Sequence, residues 1–359
     1  MSEARGPRGV RTVLAHTAEG DRDRSTVVRA VVIAGLLALV LFAAPAVVGV
    51  YWIKILTAVA IYSVVALGAG LLYGRVGMVS LCQIALLAVG AWAAARLLYA
   101  TSLPFPLVLV LAGLITGAIG TLVGLPALRI SGLHLALITL MFAGAITLVV
   151  SVLHFPNGGK GFLGVVQFGA GPNIRRPAIA TSDTAYFRYA VIVAAVMFLL
   201  ALWQIAGKPG RAWAAIRESE PAALAAGVNI TRYKLWAFAL AAFMTGVAGG
   251  LMGASGGQLT PLEFPTQDSI VLLAVILMGG IYSLWGAVVA GVLIRLLPAL
   301  LEQWGLSYFL LLLLFGVGIL QVLATAPGGL VDQVPKDLRR LARLISRGLG
   351  RVAGAQGPV

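Results

Sequence analysis

The side chains of this chain that could perform catalysis are few and scattered. The histidines, His16, His134 and His154, and the single cysteine, Cys82, lie far apart in the sequence. This spacing is not that of a metal centre or of a disulfide framework. We therefore expect no catalytic residue and no metal site, and we expect that the chain by itself is not an enzyme.

One glycine-lysine run, residues 157–161, is the nearest approach to a nucleotide-binding loop. Such a loop needs the spacing G-x-x-x-x-G-K-[ST], so that its backbone N–H groups can surround phosphates. Here Gly161 follows Lys160 in place of Ser or Thr, and His154 stands where the first glycine belongs. We expect no cofactor bound to this chain.

A polar segment at 207–234 is built like a docking element. Glu220 and Pro221 suit the N-cap and first turn of a short helix, and Gly227 suits its left-handed end. A helix of this length is marginal alone in water, so we expect another surface to pack against it. The alternative is an ordinary turn between two membrane helices. The small and charged residues of the segment are Arg211, Arg217, Glu218, Ala222, Ala223, Ala225 and Ala226.

The elements that must position this segment are membrane helices. The chain has 359 residues, of which 60% are hydrophobic and 11% charged, and apolar runs of about 20 residues recur along it. The spacing predicts an all-α bundle of ten spans at 27–50, 51–73, 79–99, 106–127, 133–153, 186–206, 235–256, 268–284, 286–301 and 308–326. The eighth and ninth are alternatively a re-entrant pair, because glycines interrupt that stretch.

Charge predicts the orientation of the bundle. Ten spans place both termini and the polar segment on one side, whose loops and tails hold 19 lysines and arginines against four on the other side. The positive-inside rule assigns the first side to the cytoplasm. We expect a multi-pass protein of the bacterial inner membrane, with a cytoplasmic tail at 1–26, a permease domain at 27–330 and a basic tail at 331–359. The net charge of +14 follows from this topology and needs no nucleic acid.

The basic C-terminal tail has a helical pattern of its own. Apolar and basic residues alternate there at helical spacing, which is typical of a helix on a lipid surface. The alternative is an unstructured tail. The pattern runs through Leu338, Leu341, Ile345 and Leu349, with Lys336, Arg339, Arg340, Arg343 and Arg347 between them.

The acidic residues are predicted to lie only in tails, loops and span ends, Asp268 and Glu263 among them. An ion-coupled carrier usually keeps an ionisable group inside the membrane, so this class is less favoured. With no charge obvious in the interior, the path suits a neutral or zwitterionic solute. Glycine pairs four residues apart, such as Gly246 and Gly250, predict close helix packing.

Two stretches of the first half resemble the permeases of branched-chain amino acid ABC transporters. The segment from Gly74 to Leu81 with Gly90-Ala91-Trp92 resembles the family signature GxxGxxSLG…GAY. The segments Leu125–Arg129 and Ala136–Leu140 are similar to LPxLRLxGxYxAxxTL.

Two further stretches of the second half carry the same resemblance. Residues 215–229 are similar to the coupling loop AIRENExAAxxxGIN, and 278–286 resemble LGGxGSLxGP. The four motifs occur in the family order across residues 30–330. The longer loop after the fifth span is similar to the LivM-type subunit rather than to the LivH-type.

The resemblance implies a subunit of an ATP-driven importer. It implies a second, homologous permease (LivH-type), two ATPases (LivG/LivF-type) that hold ATP and Mg, and an extracytoplasmic substrate-binding protein. The helix at Glu220–Ala226 is then the part that docks on an ATPase. The translocation path is expected near Gly77, Ser80, Gln83, His134, Thr139, Gly279, Gly280 and Ser283.

Three positions depart from the family pattern, and they bear on the substrate. Cys82 replaces a glycine, Leu224 a glutamate and Ala287 a proline. Leucine, isoleucine and valine are the default substrates of the family. The alternatives are urea, short amides or another small organic solute, and less favourably an ion-coupled secondary transporter.

Overall fold

The computed structural model describes residues 48–126, 130, 132–153, 176–256 and 259–305, with isolated positions at 41, 45, 310, 313, 316–318 and 320. The predicted spans at 27–50 and 308–326 therefore lie almost entirely outside the described residues. Both predicted tails, including the amphipathic helix after residue 335, lie outside them as well. The chain divides into two units, 1–53 and 54–359, and the contacts below all lie within the second.

The described residues are helical and contain no strand, which confirms the all-α prediction. Eight of the helical segments are long and apolar enough to cross a membrane, and they correspond to the second to ninth predicted spans. The helices are α1 (Val50–Leu71), α2 (Gln83–Ala100), α3 (Phe105–Gly124), α4 (Leu133–Leu153), α5 (Asp183–Ala206), α6 (Lys208–Glu218), α7 (Glu220–Ala225), α8 (Ile230–Gly256), α9 (Asp268–Gly279), α10 (Leu284–Gly291) and α11 (Leu297–Gln303).

Helix α8 is central to the packing, and glycines permit the close approach of its neighbours α2 and α3. A methyl group at Gly90 of α2 would overlap the carbonyl oxygen of Gly246 of α8. A methyl group at Gly246 would lie 2.5 Å from the Cβ atom of Thr116 of α3. Small residues of this kind let helix backbones touch in lipid, where helix association depends on dispersion contacts. The predicted packing role of the glycine pairs is confirmed at these positions.

Helices α9 and α10 answer the question of the eighth and ninth spans. Helix α9 has 12 residues, so it is about 18 Å long and covers only part of a hydrocarbon core of about 30 Å. A 3-10 turn at Pro261–Glu263 precedes it. From Leu284 to Gln303 the chain is helical for 20 residues, with a π-helical turn at Val292–Leu296. The ninth span is therefore a full-length helix, whereas the eighth is helical over only part of the membrane thickness.

Candidate functional site

The polar segment contains two helices, of which the sequence predicted only the second. The first, α6, is fixed by three buried side chains, Ala212, Trp213 and Ile216. The indole Nε1–H of Trp213 donates to the carbonyl oxygen of Tyr233 at 2.9 Å, which ties α6 to the start of α8. The spacing of these three residues is the signal that predicts a helix with one buried face.

Helix α7 begins at Glu220 and ends before Gly227, close to the prediction. Its N-cap is Ser219 and not Glu220, because the Ser219 Oγ accepts a hydrogen bond from the Ala222 N–H at 3.4 Å. Serine places its short oxygen acceptor next to the first free N–H groups, which glutamate does less well. Glu220 instead forms an ion pair of 2.7 Å with Lys234, a lysine that is 4% exposed.

The left-handed end of α7 at Gly227 is confirmed. Gly227 has φ +79°, a conformation in which a Cβ atom is strained. The Gly227 N–H donates to the Leu224 carbonyl and the Val228 N–H donates to the Ala223 carbonyl, both at 2.9 Å. These two bonds form the Schellman pattern that satisfies the last carbonyl groups of a helix.

The small side chains of α7 do not all face outward. Ala223 is 2% exposed and packs in the main hydrophobic core. A substitution at Ala223 therefore acts first on the packing of this chain, and the expectation that Ala223 itself fits into a partner's groove is wrong. Ala222, Leu224, Ala225 and Ala226 are the exposed residues of the helix and its end.

Arg217, at the end of α6, connects the polar segment with the first family motif. Its Nη1 group donates to the carbonyl oxygen of Gly74 at 2.7 Å. Its guanidinium also lies 4.5 Å from the centre of the Tyr282 ring. Glu218, next along the chain, is exposed, and together with Ala214 and Arg217 it lines an open depression beside Gly74.

Gly74 and Gly77 shape the end of α1 that receives Arg217. The chain forms a π-helical turn at Leu72–Val76 and then turns at Gly77, which has φ +82°. A methyl group at Gly77 would lie 3.5 Å from the Cγ atom of Arg217, and one at Gly74 would overlap the Ile281 carbonyl oxygen. This end of α1 is therefore held between α6 and the turn after α9.

The turn between α9 and α10 carries the fourth family motif and meets the first. The Arg75 Nη2 group donates to the Tyr282 carbonyl oxygen at 3.2 Å. Gly279 is packed so closely that a methyl group there would overlap the Gly286 carbonyl oxygen. The Ser283 N–H donates to the Gly280 carbonyl oxygen at 3.3 Å. Gly279, Gly280 and Ser283 thus shape a tight turn that lies against Arg75.

The predicted polar path residues inside the bundle mostly hold helices together. The Leu81 N–H donates to the Thr139 Oγ1 at 2.9 Å, which joins the first family motif to the second. The Thr245 hydroxyl donates to the Gln83 Oε1 at 2.7 Å. Ser80 Oγ lies 3.2 Å from Cys82 Sγ, and both are buried. These contacts bring Ser80, Gln83 and Thr139 close to one another around the start of α2.

His134 does not join this group. It is exposed near the start of α4, and in the described part of the chain it forms no hydrogen bond or ion pair with another predicted site residue. Sequence reasoning also gave no role to Tyr282, Lys234 or Tyr62. Each contacts a charged side chain far away in the sequence, and no local pattern predicts such a contact.

The four motifs identified in the sequence therefore meet around residues 74–82, and comparisons with known proteins agree with that resemblance. The profile of the family described as "Branched-chain amino acid transport system / permease component" matches residues 51–322. The chain is 30% identical over 306 residues to the LivM permease protein of the high-affinity branched-chain amino acid transport system of Salmonella typhimurium, covering 80% of this chain and 71% of that protein.

The corresponding LivM protein of Escherichia coli is likewise 30% identical, over 336 residues that cover 88% of this chain and 78% of the relative. No solved structure matches the chain. With eight apolar helices in its described part and a family match over most of its length, this multi-pass membrane protein belongs to the permease components of branched-chain amino acid transport systems.

Proposed function

We propose that this chain is the LivM-type permease subunit of an ATP-driven importer in the bacterial inner membrane, with both termini in the cytoplasm. Its cargo is a branched-chain amino acid, or a similar neutral or zwitterionic amino acid, delivered by an extracytoplasmic binding protein. A second, homologous permease of the LivH type completes the membrane part, and two ATPases of the LivG/LivF type supply ATP and Mg. The lipid bilayer surrounds the assembly.

The observation that carries this proposal is the hydrogen bond from Arg217 to Gly74. It links a surface element rich in small exposed side chains to the end of a membrane helix. The exposed part of α7, at Ala222, Ala225 and Ala226, presents a smooth contact surface for an ATPase. Because α6 and α7 pack on the ends of α1 and α8, a displacement of α7 is passed to those membrane helices.

Residue charge supports the orientation of this element. Lys208, Arg211, Arg217, Arg232 and Lys234 all lie in the polar segment, and basic loops are retained on the cytoplasmic side of a membrane. ATP is hydrolysed on that side, so a coupling element must lie there. The ATPases would then bind α7 from the cytoplasm.

Uptake by the assembled transporter tests the proposal. The chain would be purified with the permease, ATPases and binding protein encoded beside it, and the complex would be placed in proteoliposomes. We expect uptake of radiolabelled leucine that requires ATP and the binding protein. The chain alone, given a proton or sodium gradient, should take up no leucine.

Three results would contradict this reading. Gradient-driven uptake by the isolated chain would make it a secondary carrier. ATP-driven uptake of urea or a short amide without any amino acid uptake would move it to a related importer. A complex that hydrolyses ATP but transports none of these solutes would remove the importer assignment.

A further inference from the structure

Two oppositely charged side chains lie at the same depth of the bundle, on α9 and on the helix that follows it. The two helices run in opposite directions from the turn at 280–283. Asp268 precedes Gly279 by 11 residues and Arg295 follows Leu284 by 11 residues. At about 1.5 Å per residue, each lies about 16 Å from that turn, close to the middle of a hydrocarbon core of about 30 Å.

This position differs from the sequence-based expectation of an uncharged interior. Asp268 is the first residue of α9, but α9 is too short to bring it to the opposite membrane surface. Arg295 lies within the 20-residue span Leu284–Gln303. A charge at such depth is costly, and in membrane proteins it usually faces the interior and marks the route of a substrate.

Arg295 is held on a π-helical turn by a tyrosine of α1. Gly291, one turn earlier, brings that helix so close to α1 that a methyl group at Gly291 would lie 2.7 Å from the Val59 carbonyl oxygen. The Arg295 guanidinium then lies 4.0 Å from the centre of the Tyr62 ring, and its Nη2 group donates to the Tyr62 hydroxyl. Single π-helical turns of this kind occur frequently at functional sites.

The Arg295 guanidinium has donors to spare. Its Nε is buried and has no hydrogen-bond partner among the described residues. The ion pairs of the described part join Lys54 and Arg176 to Asp183, and Lys234 to Glu220, so none of them includes Arg295. Tyr62 is neutral and occupies only one face of the guanidinium.

The negative partner is close enough to interact but does not neutralise the arginine. Asp268 and Glu263 both interact electrostatically with Arg295, yet neither lies within the 4.0 Å of an ion pair. Beside Asp268, the Ser269 side chain is 2% exposed, and its Oγ has no hydrogen-bond partner in the described part of the chain. A positive group, a negative group and a free hydroxyl thus lie near one another at mid-membrane depth.

We propose that Arg295, supported by Tyr62, binds the α-carboxylate of a zwitterionic amino acid inside the membrane, and that Asp268 binds its α-ammonium group. This inference rests on the proposed importer function and names a binding site for its cargo. A guanidinium binds a carboxylate through parallel N–H donors. The low-dielectric surroundings strengthen both charge contacts. A solute with two opposite charges satisfies both residues, whereas urea or a short amide satisfies neither.

Transport by charge variants tests the site. In the reconstituted transporter, Arg295→Gln should lower leucine uptake at low leucine concentration by about 10- to 100-fold, because one hydrogen-bonded charge contact is lost. Asp268→Asn should raise KM in the same direction. Arg295→Lys keeps the charge without the paired donors, so its KM should fall between those of the wild type and Arg295→Gln. Lys54→Gln is the control, because it removes a positive charge whose side chain is 60% exposed.

A binding measurement separates a ligand contact from a structural role. Millimolar leucine should raise the melting temperature of the full-length wild-type chain, but not that of Arg295→Gln. Leucinamide, which lacks the carboxylate, should raise neither. Equal stabilisation of wild type and Arg295→Gln by leucine would overturn the site.

The transport outcomes distinguish this inference from the proposed function. Wild-type leucine uptake by Arg295→Gln overturns the site and leaves the importer function standing. A wild-type complex that transports no amino acid overturns both. If Arg295→Gln does not insert into the membrane, then Arg295→Lys and Tyr62→Phe decide, and a wild-type KM in both would overturn the site.

Discussion

Arg217 donates a hydrogen bond of 2.7 Å to the backbone carbonyl oxygen of Gly74, a residue 143 positions away in the sequence. The same guanidinium lies over the ring of Tyr282. One side chain of the polar segment thus contacts both the end of α1 and the turn that joins α9 to α10. This arrangement gives the surface element a direct mechanical connection to two glycine-rich parts of the membrane bundle.

Replacing Arg217 should therefore uncouple transport from ATP hydrolysis. Arg217→Gln removes the charge-assisted hydrogen bond and the contact with Tyr282 and leaves the exposed surface of α7 intact. We expect leucine uptake per ATP hydrolysed to fall by about 10-fold or more. The ratio would be measured in proteoliposomes, with Arg211→Gln, an exposed arginine of the same helix, as the control. An unchanged ratio in Arg217→Gln would exclude this connection from coupling.

Two alanines of α7 should respond differently to the same substitution. Ala223 is buried, so Ala223→Asp places a carboxylate in the core of this chain and should destabilise it by about 3 kcal/mol or more. Ala225 is exposed, so Ala225→Asp should change stability by less than about 0.5 kcal/mol. The melting temperature of each purified variant measures this difference.

The same pair of variants tests docking. Ala225→Asp should assemble poorly with the ATPases although the chain itself is stable, because it adds a charge to the proposed contact surface. Co-purification of the ATPases with the tagged permease measures this. Full ATPase recovery with Ala225→Asp would show that α7 docks through another face.

Local sequence patterns predicted the helices and the end of α7, because hydropathy and glycine φ preference act over a few residues. The spans from 51 to 301 and the turn at Gly227 are both of this kind. The contact of Arg217 with Gly74 was not predicted, since it depends on how α6 lies against α1. Arg295 and Tyr62 are 233 positions apart, and their contact depends on the close approach of Gly291 to α1.

The ion pair between Glu220 and Lys234 should show an asymmetric response to mutation. Lys234 is 4% exposed, whereas the Glu220 side chain is 47% exposed. Glu220→Gln leaves a buried ammonium group without its counter-charge and should cost about 1–3 kcal/mol. Lys234→Met removes the buried charge and leaves a glutamate that water can solvate, so its cost should be smaller. Thermal unfolding of both variants measures the difference, and an equal or reversed order would contradict it.

The contact between α8 and its neighbours should tolerate no added methyl group at Gly246. A methyl there would lie 2.5 Å from the Cβ and Oγ1 atoms of Thr116 and 3.0 Å from the Ala112 carbonyl oxygen. The backbones of α8 and α3 would have to separate, and overpacking of this kind costs about 1–3 kcal/mol. We expect Gly246→Ala to lower the melting temperature of the purified chain.

Two other glycines provide the matched scale for this measurement. Gly144→Ala, on α4, meets nothing within 4 Å and should leave the melting temperature unchanged or raise it, since alanine favours helix over glycine by about 0.5–1 kcal/mol. Gly250→Ala meets the flexible Cδ2 end of Leu109 at 2.6 Å, so its effect should lie between the other two. All three gain the same helix propensity, so their order reports packing alone. If Gly246→Ala were as stable as Gly144→Ala, the backbone contact between α8 and α3 would not limit the packing of the bundle.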